Sequence, residues 1–287
     1  MKLWTTDDEL NFFYKSLDSF SSANELFYKI NNRYFAYVPK GDSSHGIALQ
    51  SRNSLIGKYT EAWVQRLLEP IAKQHGLYCL NSVVCENIGL PRNSSADIAF
   101  CKANEPIQEA KNIVLLFEVK MSIVSNYEYH SDNSILLTGD YKTHKGVPSL
   151  LRSDSMLKAI GKSINIRVSG NEGNHIPIII LGNSPITVSY TKKVDYLKHS
   201  GVIQGFWSLY PEPTESDHIK YSTNYGFETV LNYKELAQLI KETLSKDSIY
   251  FSAMKPKNEL GKLIELANTE NTPEAKAEKF LALISKI

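Results

Sequence analysis

Cysteine is scarce in this chain: Cys79, Cys85 and Cys101 are the three present among 287 residues. Their number is odd and no pair is spaced Cys-x-x-Cys, which argues against a disulfide framework and a structural zinc site. Free, partly buried thiols in a reducing compartment are expected. Charge of one sign is lacking too, since 32 Lys and Arg stand against 31 Asp and Glu. Composition therefore carries no nucleic-acid signal, and any basic surface has to be local. Long apolar runs are missing: none approaches the ~20 residues that cross a bilayer, and Met1–Glu9 lacks the apolar stretch of a signal peptide. A cytoplasmic protein without a membrane partner is the expectation. The seven histidines show no metal-ligand spacing. Gly170-Asn171-Glu172-Gly173 and Gly182-Asn183-Ser184 lack the lysine of a phosphate-binding loop. Internal repeats and low-complexity tracts are also absent.

What remains is ordinary globular material, 42% hydrophobic, and long enough to bury a substantial core. Residues 1–53 are rich in aromatics and read as mainly helical, with Asp7-Asp8-Glu9 suited to a helix start and Pro39–Asn53 a loop. From Ser54, the residues Leu55, Tyr59, Ala62, Trp63, Leu67 and Ile71 recur at three- and four-residue steps. That spacing predicts a helix, kinked or split at Pro70 and ended by Gly76. Glu61 lies beside its apolar arc, while Lys58, Gln65 and Glu69 face solvent. Strands are predicted over Leu77–Ile88, around Asp97 and over Ile113–Lys120, followed by a polar, irregular stretch from Ser122 to Ser153. A helix then starts at Asp154 as N-cap, with Met156, Leu157, Ile160 and Ile164 as its apolar side and Lys158 and Lys162 on another face. A core strand, His175–Leu181, precedes a loop at Gly182–Pro185, a helix over Thr191–Ser200 and a strand over Val202–Leu209. A loop rich in Pro, Glu and Ser leads to helices at Tyr233–Ser245 and Pro273–Ile287. The fold class expected is α/β, a central mixed β-sheet flanked by helices in αβββαβ order. The chain reads as one domain, with a core at 54–210 and mainly helical elaborations at 1–53 and 211–287.

One strand carries unusual chemistry. Ile113-Val114-Leu115-Leu116-Phe117 is a five-residue apolar run that continues into Glu118-Val119-Lys120. Alternation puts Glu118 and Lys120 on one face of this strand. Ionised groups are seldom buried unless paired or bound to metal. A second carboxylate, Asp97, sits on the preceding apolar segment. Two carboxylates and a lysine at adjacent strand ends can hold a divalent cation and position a water; the plainer alternative is a strand-end ion pair with Asp97 capping a turn. Glu109-Ala110-Lys111, Asp140-Tyr141-Lys142 and Glu274-Ala275-Lys276 share the triplet, but none follows a five-residue apolar run.

Asp97, followed after a gap by Glu118-Val119-Lys120 at the end of an apolar strand, resembles the PD-(D/E)XK nuclease superfamily. In length, and in the insertions around the core, the chain looks most like a type II restriction endonuclease. The resemblance covers roughly residues 54–185 and is strongest at 95–122, with Ala96 standing where the family motif has proline. It implies a restriction-endonuclease-like core in which Glu61 occupies the place of an additional acidic ligand. It further implies Mg²⁺, replaceable by Mn²⁺, held by Asp97, Glu118, the Val119 carbonyl and Glu61. Lys120 would orient the attacking water or, with a depressed pKa, act as base. The implied reaction is site-specific hydrolysis of double-stranded DNA by a homodimer, leaving 5′-phosphate ends. A cognate DNA methyltransferase would be a genetic rather than a physical partner. A repair or recombination nuclease of the same chemistry, and a non-catalytic DNA-binding module that keeps the fold, are the alternatives.

The DNA-facing segment expected lies between Tyr141 and Arg167. Lys142, Lys145, Arg152, Lys158, Lys162 and Arg167 stand there against Asp154 alone. A phosphate-tracking surface needs such clustering, although a solvated helix face and an exposed loop give the same pattern. Ser122, directly after the motif, is placed to touch a backbone phosphate. Tyr127, Tyr129 and Tyr141 are placed to contact sugars or bases nearby.

Overall fold

The computed structural model describes residues 3–19, 21–42, 49–211, 219–245 and 257–285. Near the N-terminus, Asp8 accepts the Thr5 N–H at 2.9 Å and so caps α1 (Thr6–Ser19), while Glu9 turns inward. A single turn, α2 (Ala23–Leu26), leads into a hairpin of β1 (Tyr28–Ile30) and β2 (Arg33–Phe35). Its two-residue turn has Asn31 and Asn32 at φ 49° and 61°, a conformation that asparagine tolerates. Residues 1–53 thus hold a hairpin as well as the helices expected there.

Helix α3 (Gln50–Gln74) begins four residues before Ser54, which shortens the loop expected over Pro39–Asn53; residues 43–48 of that loop lie outside the described residues. The helix runs through Pro70 without splitting. Proline leaves the Arg66 carbonyl without its helical donor, and Arg66 is exposed, where water can replace it. Gly76, at φ 68°, ends the turn as expected. The buried face is Ile56, Thr60, Trp63, Val64, Leu67, Leu68 and Ile71, rotated by about a residue from the arc read in sequence. Gln65 accordingly does not face solvent: its amide donates to the Cys79 carbonyl at 3.0 Å.

Next come β3 (Tyr78–Val83), β4 (Ala96–Cys101) and β5 (Ile113–Lys120), three antiparallel neighbours in register at Leu80–Ala99 and Ile98–Phe117. β3 stops short of Ile88 because the chain tightens into a 3₁₀ turn at 86–88. The stretch from Ser122 to Ser153, expected to be irregular, contains β6 (Asn126–Tyr129) and β7 (Ile135–Gly139). They join the hairpin in a second, wholly antiparallel sheet of order β1-β2-β6-β7. Helix α4 (Ser153–Val168) has Arg152, not Asp154, as its N-cap; Asp154 lies in the first turn, where its charge favours the helix dipole. β8 (Ile178–Gly182) runs parallel to β5, and α5 (Thr191–His199) connects it to β9 (Gly205–Ser208). The C-terminal part adds a strand, β10 (Phe227–Thr229), before α6 (Tyr233–Leu244), α7 (Lys257–Ala267) and α8 (Pro273–Ser285). Residues 212–218 of the Pro-, Glu- and Ser-rich loop, and 286–287 of the last expected helix, lie outside the described residues.

The main sheet has the order β10-β9-β8-β5-β4-β3, parallel from β10 to β5 and antiparallel from β5 to β3. Strand β5 is the seam between the halves. One face buries Ile98, Phe100, Leu115, Phe117 and Ile179 against α3 and α6. The other buries Ala99, Leu116, Ile180 and Phe206 against α4 and α5. The architecture is therefore α/β, helices packed on both faces of a mixed six-stranded sheet. Helix α4 meets the sheet through Met156, Ala159, Ser163 and Ile166, whereas Leu157 and Ile164, read as part of its apolar side, are exposed. Small residues allow the close approach, so the packed side is not the most apolar one. No helix among the described residues is long and apolar enough to cross a membrane. The three cysteines are free and buried, and burial pushes the Cys79 and Cys101 thiols up to about 12.

Candidate active site

One step beyond the Ile98–Phe117 pair, Asp97 of β4 and Glu118 of β5 lie across from each other. Both belong to the face covered by α4. Strand pairing alone thus brings together two acids 21 positions apart. The Val119 N–H donates to Asp97 Oδ2 at 2.7 Å and fixes that carboxylate against the β5 backbone. Lys120 Nζ lies 2.6 Å from Glu118 Oε1, 3.6 Å from Asp97 Oδ2 and 3.2 Å from the Val119 carbonyl oxygen. Asp97, Glu118, Val119 and Lys120 are therefore brought together at one place in the fold. The three look-alike triplets are not. Glu109 and Lys111 form an exposed ion pair, Asp140 accepts the Lys142 N–H in a turn, and Glu274 to Lys276 lie in α8.

A second lysine belongs to the cluster. Lys162, expected on a DNA-facing surface, instead reaches from α4 to Glu118 Oε2 at 2.6 Å and Asp97 Oδ1 at 3.1 Å. The correction follows from helical spacing: Lys162 is three residues after Ala159 and four before Ile166, both buried against the sheet. Side-chain exposure is 16% for Asp97, 10% for Glu118, 18% for Lys120 and 16% for Lys162, so these charges interact with little solvent screening. Burial, then the Asp97 charge, raises the Glu118 pKa against the pull of the two lysines. Burial lowers that of Lys162, but Asp97 and Glu118 more than offset it and hold the ammonium above the ordinary lysine range.

Glu61 stands beside this cluster on α3. Burial, followed by the Asp97 charge, raises its pKa, while a hydrogen bond from the Asn81 side chain and the Lys120 charge oppose that shift. Among the described residues, no three His, Cys, Asp or Glu side chains gather closely enough to form a metal cage, so Glu61 flanks the pair without closing it. The pair still suits a hard cation. Asp97, Glu118 and the Val119 carbonyl are oxygen donors, and Mg²⁺ needs only one or two protein carboxylates because it keeps several waters.

The end of β5 is held by a network that sequence reading passed over. Asn183, fully buried after β8, accepts the Ser122 N–H at 3.0 Å and donates to the Ser122 carbonyl at 2.6 Å. The Ser149 hydroxyl donates to the Lys120 carbonyl at 2.6 Å and accepts the Asn183 N–H at 2.9 Å. Ser184 accepts the N–H groups of Leu150 and Leu151. Gly182 permits this docking, because a Cβ there would meet the Leu150 side chain. The available signal was Gly-Asn-Ser-Pro directly after a core strand parallel to β5.

A cleft of about 510 Å³ opens beside Lys120, with Ser122, Arg152 and Ser155 on its wall. Arg152 and Lys158 are exposed and share Asp154, at 3.4 and 3.0 Å. Lys142 and Lys145 lie exposed on the loop whose Gly146 and Val147 also line the cleft. Arg167, the last of the six basic residues, is buried and donates to the carbonyls of Ile176 and Val202, which makes it a structural residue. Tyr127 is buried as well, its hydroxyl turned inward to Glu9, so it does not face a ligand. Comparison with family models, with curated proteins and with solved structures finds no match to this chain.

Proposed function

We propose that the chain is a Mg²⁺-dependent endonuclease of the type II restriction kind, hydrolysing phosphodiester bonds of double-stranded DNA to leave 5′-phosphate ends. The observation that carries this reading is the convergence of Asp97, Glu118 and Lys120 from two paired strands onto one face of the sheet, with Lys120 on the wall of the cleft. The order α3-β3-β4-β5-α4-β8 around the main sheet, with β6 and β7 of the second sheet inserted between β5 and α4, supports it.

Asp97, Glu118 and the Val119 carbonyl would hold the ion, with Glu61 beside them. When bound, Mg²⁺ supplies stabilisation of charge on the phosphoryl oxygens and lowers the pKa of a bound water. The protein's own part is positioning. Asp97, tied to the Val119 N–H, keeps its carboxylate fixed relative to β5. Lys120 presents an ammonium at the cleft, where it orients the attacking water and donates to the phosphate as negative charge builds. Ser122 and Arg152 on the cleft wall offer a hydroxyl and a guanidinium to the DNA backbone. A homodimer would place one such site on each strand of a palindromic duplex, and a cognate methyltransferase would protect the host DNA.

The test is digestion of a long duplex DNA with Mg²⁺, followed by sequencing of the fragment ends. Discrete fragments are expected, and Lys120→Ala abolishes them while leaving DNA binding largely intact. Unchanged cleavage by that variant rejects this site. A smear points to a repair nuclease, and no cleavage with either Mg²⁺ or Mn²⁺ to a binding module.

A further inference from the structure

Two lysines neutralise the carboxylate pair, and they are tethered differently. Lys120 follows Glu118 by two residues on the same strand, and its ammonium also donates to the Val119 carbonyl. Lys162 arrives from α4 on a flexible four-carbon arm. Each ammonium faces one oxygen of each acid: Lys120 takes Glu118 Oε1 and Asp97 Oδ2, Lys162 takes Glu118 Oε2 and Asp97 Oδ1. Any divalent ion bridging the two acids needs at least one oxygen from each, and so meets an ammonium already there.

Resting on the metal-site reading above, we propose that Lys162 is a resident counter-cation of Asp97 and Glu118 that yields its place when a divalent ion binds. Place in the site decides which lysine leaves. Lys120 lines the cleft, where the proposed reaction needs its ammonium, whereas Lys162 reaches in from α4, is not part of the cleft wall, and withdraws by a change of rotamer. Gly161 beside it leaves open space on α4, and Lys158, one turn earlier, is already in solvent. Charge favours the exchange once DNA is present. Two acids and two ammoniums are neutral together and hold no attraction for phosphate. A dication in the place of Lys162 leaves two acids, one ammonium and the ion net positive, and an anionic phosphodiester is then drawn to it. Lys162 thus keeps the metal-free carboxylates from repelling each other, at the expense of weaker metal binding.

The test measures Mn²⁺ binding directly, by calorimetry and electron paramagnetic resonance, without DNA. Wild type is compared with Lys162→Met, which keeps the length, and Lys162→Gln, which keeps a donor without the charge. Both variants are expected to bind Mn²⁺ at least about tenfold more tightly, because a like charge has left the site. Their metal-free forms are expected to melt lower, and Mg²⁺ to restore more of the melting temperature than it adds to wild type. Unchanged or weaker Mn²⁺ binding in the variants overturns the counter-cation role while leaving the metal site standing. Absence of Mn²⁺ binding in all three proteins overturns the metal-site reading and the proposal together. Should Lys162→Met not fold, Lys162→Gln carries the comparison.

Discussion

Glu9 shows what a buried charge costs when no cation answers it. Its carboxylate is fully buried and accepts hydrogen bonds from the Val124 and Ser125 N–H groups, the Tyr127 hydroxyl and the Trp4 indole. Burial nevertheless dominates these four donors and pushes the pKa up to about 7. The contrast with Glu118 is in the partners: neutral donors surround the one, two ammoniums the other. Linkage fixes the sign. The folded protein holds the Glu9 proton more tightly than the unfolded chain, so the associated stability is fully present below pH ~4.5 and is lost as pH rises through about 7. The shift is worth about 3 kcal/mol. Glu9→Gln removes the titration, so the stability difference between wild type and variant is expected to change by about 3 kcal/mol from pH 4.5 to 7.5. Denaturant unfolding at the two pH values measures it. Parallel curves would mean that Glu9 ionises normally in the fold.

At the scale of elements, strand β5 depends on its neighbour. Lys120 is the last residue of β5, and the chain beyond it is held through Asn183 and Ser149 rather than by further ladder bonds. Asn183→Ala leaves the Ser122 N–H and C=O without these partners, at a cost of about 2 kcal/mol. On the proposed function, loosening Ser122 lets the nearby Lys120 ammonium drift, so cleavage is expected to fall at least about tenfold while DNA affinity stays near wild type. Equal losses of stability and activity at a temperature where the variant remains folded would argue for a purely structural asparagine. The same elements show what the sequence made legible. β5 and β8 were readable because strands buried on both faces are continuous apolar runs. Asp97 followed from its place on the adjoining segment. β6 was not readable, since Asn126-Tyr127-Glu128-Tyr129 is polar and short and is a strand only because β2 and β7 flank it. The role of Lys162 was hidden for a related reason. Helix α4 packs through Ala159 and Ser163, and a search for its most apolar face turns Lys162 toward solvent instead of toward Glu118.

For the whole molecule, the decisive quantity is where charge accumulates on a chain of net charge +1. The site lies at the carboxyl ends of β5 and β8, on the seam where the parallel and antiparallel halves of the sheet meet, a position favoured for ligand sites in open α/β sheets. With Lys162 committed to the carboxylates and Arg167 to buried carbonyls, Arg152 and Lys158 remain the exposed basic residues at the start of α4. Both are held by Asp154, which a phosphate can replace as partner. If DNA crosses this edge, each contact releases counterions and contributes about 0.9 to the slope of log K against log salt concentration. Arg152→Ala combined with Lys158→Ala is therefore expected to flatten that slope by about 2. Asp154→Asn should strengthen binding at low salt, because it frees both cations. Fluorescence anisotropy on a labelled duplex, titrated without divalent ions over a range of salt, measures both effects. An unaltered slope in the double variant would place the backbone path elsewhere and leave the exposed loop lysines, Lys142 and Lys145, as the next residues to test.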